Sequence, residues 1–122
     1  MLFMSVRPSV IYLLLLMFPQ LGDYLYEYET STKARPVEPK REIYTLYDYR
    51  RRLATYRMDE DLLLSHGNFA WIPVWDDHEI SNNGWRGASS GLNNTEESFE
   101  EDGGVSVDQR KMNAVRAYFE WM

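Results

Sequence analysis

Phe69-Ala70-Trp71-Ile72-Pro73-Val74-Trp75 is a short apolar run, and Asp76-Asp77-His78-Glu79 follows it without a break. The run predicts a buried strand from Phe69 to Trp75. Pro73 restricts that strand to an edge or a bulge, because proline has no N–H to give to a ladder. Three carboxylates and an imidazole then stand where the strand ends. Packed negative charge is costly to hold in one place unless a cation offsets it, so the cluster reads first as part of a metal site. It abuts Trp71, Ile72, Val74 and Trp75, which argues against full solvation. One carboxylate can hold a cation while His78, whose ordinary pKa is ~6.5, serves a phosphate or a leaving group. The competing reading makes His78 a structural imidazole bonded to neighbouring carboxylates.

The same layout occurs earlier in the chain. Val10–Phe18 is apolar, and Gly22-Asp23-Tyr24-Leu25-Tyr26 follows. Residues 10–18 read as a second buried strand, since parallel strands appear as unbroken apolar runs, although four consecutive leucines suit a helix equally. Arg7 ahead of the run also resembles the start of a signal peptide, but no small-x-small cleavage site follows. The run falls short of the ~20 apolar residues of a membrane span. Residues 1–19 are therefore an apolar segment with strand-like and signal-like readings, the second of which would make the protein secreted. Residues 20–122 read as part of a larger domain. Gly22 lets the backbone turn sharply, Asp23 can then reach a cation, and Tyr26 can return to the same place. Against this, Tyr24, Tyr26 and Tyr28 would pack an aromatic loop on the core.

Between the two strands, residues 22–44 read as irregular, with Pro36 and Pro39 as breakers. Thr45 caps a helix over Leu46–Arg57, with Asp48 at its third position as a weak capping box, and Leu46, Tyr49, Leu53 and Tyr56 form its apolar face. Asp59 caps a second helix through Ser65, which Gly67 ends, and His66 serves that helix end. Residues 81–104 read as a long polar loop, with a solvated acidic stretch at Glu96–Asp102. Ser106 and Gln109 make a better capping box for a helix that runs to the end, with Met112, Val115, Phe119 and Met122 as its buried stripe. Strands separated by helices predict an α/β parallel sheet.

The chain has 122 residues, 44% of them hydrophobic, which suits one small domain. A net charge of -6 and dispersed basic residues exclude a nucleic-acid face. Arg50, Arg51 and Arg52 are the one basic cluster, and their helical setting predicts a solvated face. With no cysteine, disulfides, thiolate ligands and a cysteine nucleophile are excluded.

Four blocks now stand in order: Gly22–Tyr28; Tyr47–Leu62; Trp75–Glu79 with Asn82, Asn83 and Trp85; and Arg110–Met122. Together they resemble the alkaline phosphatase D (PhoD-like) family of metallophosphoesterases over nearly all of residues 20–122. The resemblance implies a fragment of a four-layer α/β/β/α sandwich. It implies hydrolysis of phosphomonoesters or phosphodiesters through a metal-activated water, at a site holding ferric iron and calcium. Under it Asp23 matches the bridging metal ligand and Tyr26 an iron-binding tyrosinate. Asp77 falls where an asparagine ligand usually sits, His78 falls on the histidine that contacts the phosphoryl group, and Asp76 is a further ligand.

The chain departs from the family at both ends. Residues 1–22 hold no Asp, Glu, His or Cys, and no histidine follows His78. The expectation is a truncated member, inactive alone, with three or four ligands of a larger set. The alternatives are a non-catalytic remnant that acts as an interaction module, or a small secreted or membrane-associated protein. The substrate would be a phosphate ester, selected by residues 27–44 and 81–104.

Overall fold

β1 (Met17–Leu21) and β2 (Ala70–Val74) pair in parallel, with Met17 opposite Ala70 and Leu21 opposite Val74. Helices α1 (Leu46–Arg57) and α2 (Glu60–Asn68) make the crossover between them, and α3 (Val107–Trp121) packs on α1. The structure, a computed structural model, describes residues 17–28, 36–84 and 104–122. Among the described residues it is mixed α/β, a strand pair with three α-helices. The strand expected at 10–18 overlaps β1 only at Met17 and Phe18, and residues 10–16 lie outside the described residues. So do most of the 81–104 loop and its acidic stretch. Among the described residues β2 is paired on one side only, the edge position that Pro73 requires. No described helix is long and apolar enough to cross a membrane.

Local chemistry accounts for the helix ends. The Thr45 hydroxyl accepts from Asp48 N at 3.2 Å and Asp48 Oδ2 accepts from Thr45 N at 3.0 Å, so the box judged weak is complete. Ser106 makes only half of its box. Its hydroxyl accepts from Gln109 N at 3.2 Å, but the Gln109 amide turns along the helix to Asn113 at 3.0 Å. Asp59 caps α2, yet that helix runs past Ser65 and through Gly67 to Asn68. Glycine inside a helix costs about 1 kcal/mol, too little to stop a turn whose last N–H, on Phe69, still reaches Ser65 O at 3.0 Å.

The core joins Leu25 and Ile43 to Tyr49 and Leu53 of α1 and to Ala114 and Ala117 of α3. Leu46 and Tyr56 pack against it, as the spacing on α1 predicts. The stripe expected on α3 is wrong. Met112 and Phe119 are 63% and 73% exposed, while Val107, Arg110, Ala114, Ala117 and Tyr118 are buried. Two alanines let the α3 backbone approach α1 closely, and large residues would hold it away. Arg110 can be buried because Glu42 accepts from it at 2.9 Å and the Tyr49 hydroxyl at 3.1 Å.

The arginine cluster is not one solvated face either. Arg50 reaches Glu120 and Arg51 reaches Glu38 at the surface, but Arg52 is fully buried. Its guanidinium donates to the carbonyls of Tyr26, Tyr28, Glu38, Pro39 and Arg41. A fork of five N–H donors satisfies loop carbonyls that have no ladder to join, which is why a charge can sit there.

Candidate metal centre

The chain leaves β1 through two residues of positive φ, Gly22 (92°) and Asp23 (53°). A Cβ on Gly22 would lie 2.5 Å from the Cβ of Asp76, so only glycine lets the turn after β1 touch the turn after β2. Both turns stand at the carboxyl ends of parallel strands, where α/β folds place their functional loops.

Glu79 ties them together. Its Oε2 accepts from Asp23 N at 3.1 Å and from Asp76 N at 2.6 Å, and its Oε1 accepts from Tyr24 N. Nearly buried and saturated with N–H donors, Glu79 acts as a staple rather than a free ligand. The bond to Asp76 N also closes a capping box around the 3-10 turn Asp77–Glu79, whose other half is Asp76 Oδ1 accepting from Asp77 N at 2.9 Å.

Asp23, Asp77 and His78 converge: each offers one ligand atom, and these lie within 4.8 Å of one another. Asp23 Oδ2 accepts from the Tyr26 hydroxyl at 3.2 Å, whereas Asp23 Oδ1 is buried with no hydrogen-bond partner. Asp77 Oδ2 accepts from Asn83 N. That bond, opposed by burial and helped by the His78 charge, holds the Asp77 carboxyl below its usual range. The Tyr26 hydroxyl is pushed up, first by its bond to Asp23 and then by burial, so it stays a phenol beside that carboxylate. Asp76 stands outside the converging group, with Oδ1 used as a cap.

His78 is gripped from another direction. Its Nδ1 meets Glu27 Oε2 at 2.7 Å, its Nε2 meets the Tyr28 hydroxyl at 3.4 Å, and its ring lies 4.4 Å from that of Tyr26. Burial lowers the imidazole pKa, but the Glu27 bond and the charges of Glu27, Asp23 and Asp77 outweigh it and hold the value above the ordinary one. The structural reading and the chemical one are therefore compatible: one ring nitrogen is held by a carboxylate and the other faces the cluster of phenols.

Sequence reasoning missed Glu27. The available signal was alternation in the segment after Asp23. Leu25 and Glu27 are buried, while Tyr26 and Tyr28 are 42% and 41% exposed, so the tyrosines do not pack the core as a group. His66 is no helix-end cap. It bonds the Tyr24 hydroxyl at 2.9 Å and stacks on Trp71 at 4.0 Å, and burial together with Arg57 lowers its pKa. Beside the centre, Trp75, Asp76, Asp77, Ile80, Gly84 and Val115 line an open cavity of about 540 Å³.

A family profile described as PhoD-like phosphatase matches residues 15–122. Alkaline phosphatase D of Bacillus subtilis is 48% identical over 68 residues, which cover 52% of this chain and 12% of that protein. A solved structure of PhoD superposes with a TM-score of 0.67 and 35% identity over 87% of this chain. The match takes in 20% of the PhoD chain, so the present chain spans a small part of the length of its relatives.

Proposed function

The chain belongs to the PhoD-like phosphatase family, and from that premise we propose that its two acidic turns are part of a metal-dependent phosphatase site acting on phosphomonoesters or phosphodiesters. The observation that carries this reading is the convergence of Asp23, Asp77 and His78, one of whose members, Asp23, also has a buried carboxylate oxygen, Oδ1, that no donor satisfies. A buried carboxylate oxygen without a partner is costly, and a cation is a partner that suits it. The residues thus fit the metals expected of them.

Asp23 and Asp77 would hold the cations, with Tyr26 as a further oxygen donor next to Asp23 and Asp76 at the edge of the group. Carboxylate and phenol oxygens in a chain without cysteine suit hard cations, which agrees with ferric iron and calcium. When bound, the cations supply charge that offsets the carboxylates, polarises the phosphoryl oxygens and acidifies water. His78 contacts the phosphoryl group and gives a proton or a hydrogen bond to the departing oxygen. The cavity beside Asp77 has room for part of the ester's substituent.

Two measurements test this. Calorimetry on the chain should show cation binding that Asp23→Ala removes. A chromogenic phosphate ester should be hydrolysed by a polypeptide that carries these residues with the remainder of a PhoD-like domain, and Asp23→Ala should lower that rate at least ~100-fold. Undiminished hydrolysis by Asp23→Ala refutes the assignment. The exposed sheet residues Phe18, Leu21, Ile72 and Val74 favour a second reading, a non-catalytic interaction module. Absence of cation binding would favour that one.

A further inference from the structure

Glu27 is fully buried, and the phosphatase reading gives it no part. Both of its oxygens are engaged: Oε2 meets His78 Nδ1 at 2.7 Å and Oε1 accepts from Asn82 N. Asn82 lies in the turn after β2 and Glu27 in the segment after β1, so this carboxylate bridges the two turns a second time. It is also held from behind. Arg52 donates to the carbonyls of Tyr26 and Tyr28, the residues on either side of Glu27. A buried carboxylate with two such bonds is costly to desolvate, and a leucine there would fill the same space with no such cost. Glu27 already accepts from Asn82 N through Oε1, and as an acceptor at Oε2 too it leaves the proton of the shared bond on His78 Nδ1. Nε2, 3.4 Å from the Tyr28 hydroxyl, is then the nitrogen without a proton in the neutral ring.

We propose that Glu27 is a positioning residue for His78: it fixes the ring plane and holds the proton on Nδ1, so that Nε2 is the nitrogen presented to the substrate, donating to a phosphoryl oxygen or leaving group when it carries a proton of its own. The chemistry at Nε2 rests on the phosphatase reading, whereas the tautomer and the ring orientation do not. Glu27 touches no reacting atom and acts through the imidazole alone, as carboxylates do behind histidines at other sites.

The deciding measurement is 15N NMR of the full chain labelled at histidine, free of metal and at a pH where the imidazole is neutral. The chain has two histidines, and His66→Gln assigns the other one. Wild-type His78 is expected as the Nδ1–H tautomer. Glu27→Gln keeps the shape but has one acceptor oxygen for two N–H groups, and it should give a mixture of tautomers with an unchanged circular dichroism spectrum. In the hydrolysis assay the same variant should lower kcat about 10–100-fold and leave KM within about twofold. An Nε2–H tautomer in the wild type overturns the proposal, as does a Glu27→Gln variant with the wild-type nitrogen shifts. If that variant does not fold, the wild-type tautomer alone decides. A wild type that binds no cation and hydrolyses no ester sinks the phosphatase reading, and the nitrogen shifts still settle the place of Glu27.

Discussion

The helical side of the molecule is closed and the strand side is open. Ile43, Tyr49, Leu53 and Ala117 are buried between α1 and α3, whereas Leu21 is 81% exposed and Ile72 and Val74 about half exposed on β1 and β2. A helix satisfies its own backbone and needs a partner for one stripe only. A strand needs neighbours along both edges and cover on both faces, and two strands alone are marginal in water. The candidate centre lies at the seam. Its carboxylates come from turns after the strands, which Glu79 and Glu27 tie to each other, and the helical side braces them from outside: Arg52 of α1 on the Tyr26–Tyr28 segment, and Tyr49 of α1, whose hydroxyl donates to Ile80 O. The open side thus supplies the donors and the closed side fixes their positions.

The contrast is broken most severely at Arg52. Arg52→Met keeps an unbranched apolar stem, removes the guanidinium and leaves five loop carbonyls without their donor. The expected loss is on the order of 4 kcal/mol, read from the midpoint of denaturant unfolding. A loss below about 1 kcal/mol would mean that the closed side does not hold the loops. Next comes Gly22→Ala, which puts a Cβ into the left-handed region and against Asp76. Strain and overlap together should cost roughly 3 kcal/mol. Because the same change pries the two turns apart, calorimetric cation affinity should fall with it; unchanged affinity would separate the centre from this contact.

A smaller effect is expected at the start of α1. The Asp48 carboxyl is pushed up by burial, but Thr45, the Tyr44 N–H and Arg41 outweigh that and hold its pKa below 3.8. A carboxyl with a depressed folded pKa contributes stability that is present above its unfolded pKa and lost as pH falls through the folded one. Asp48→Asn should therefore cost about 1 kcal/mol at neutral pH, with the difference from wild type shrinking below pH 3.8. A difference that persists at pH 2 would show that packing, not charge, is what the aspartate contributes. Smallest of all is Leu21→Thr on the open face, expected to change stability by less than about 0.5 kcal/mol. A loss above about 1 kcal/mol would reveal that this face is covered in solution.

Local signals were legible and long-range ones were not. Thr45, Asp59 and Ser106 mark their helix starts because a cap needs only a side chain and an N–H a few residues away. The acidic turns after Gly22 and Val74 could likewise be picked out, since each sits beside its own apolar run. The buried face of α3 was misjudged because large apolar residues attract attention, while close helix packing selects alanine. Arg52 was misjudged because its five acceptors lie on loops 11–26 residues away, beyond any periodic pattern.

Residue order alone thus establishes where helices begin, where β2 runs and which carboxylates follow it, since each depends on neighbours within a turn or two of chain; the start and end of β1 were not legible in the apolar run of residues 10–18. That Asp23 meets Asp77, that Glu27 claims His78 and that Glu79 binds both turns are matters of folding: they join groups about fifty residues apart whose contact exists only once β1 and β2 lie side by side.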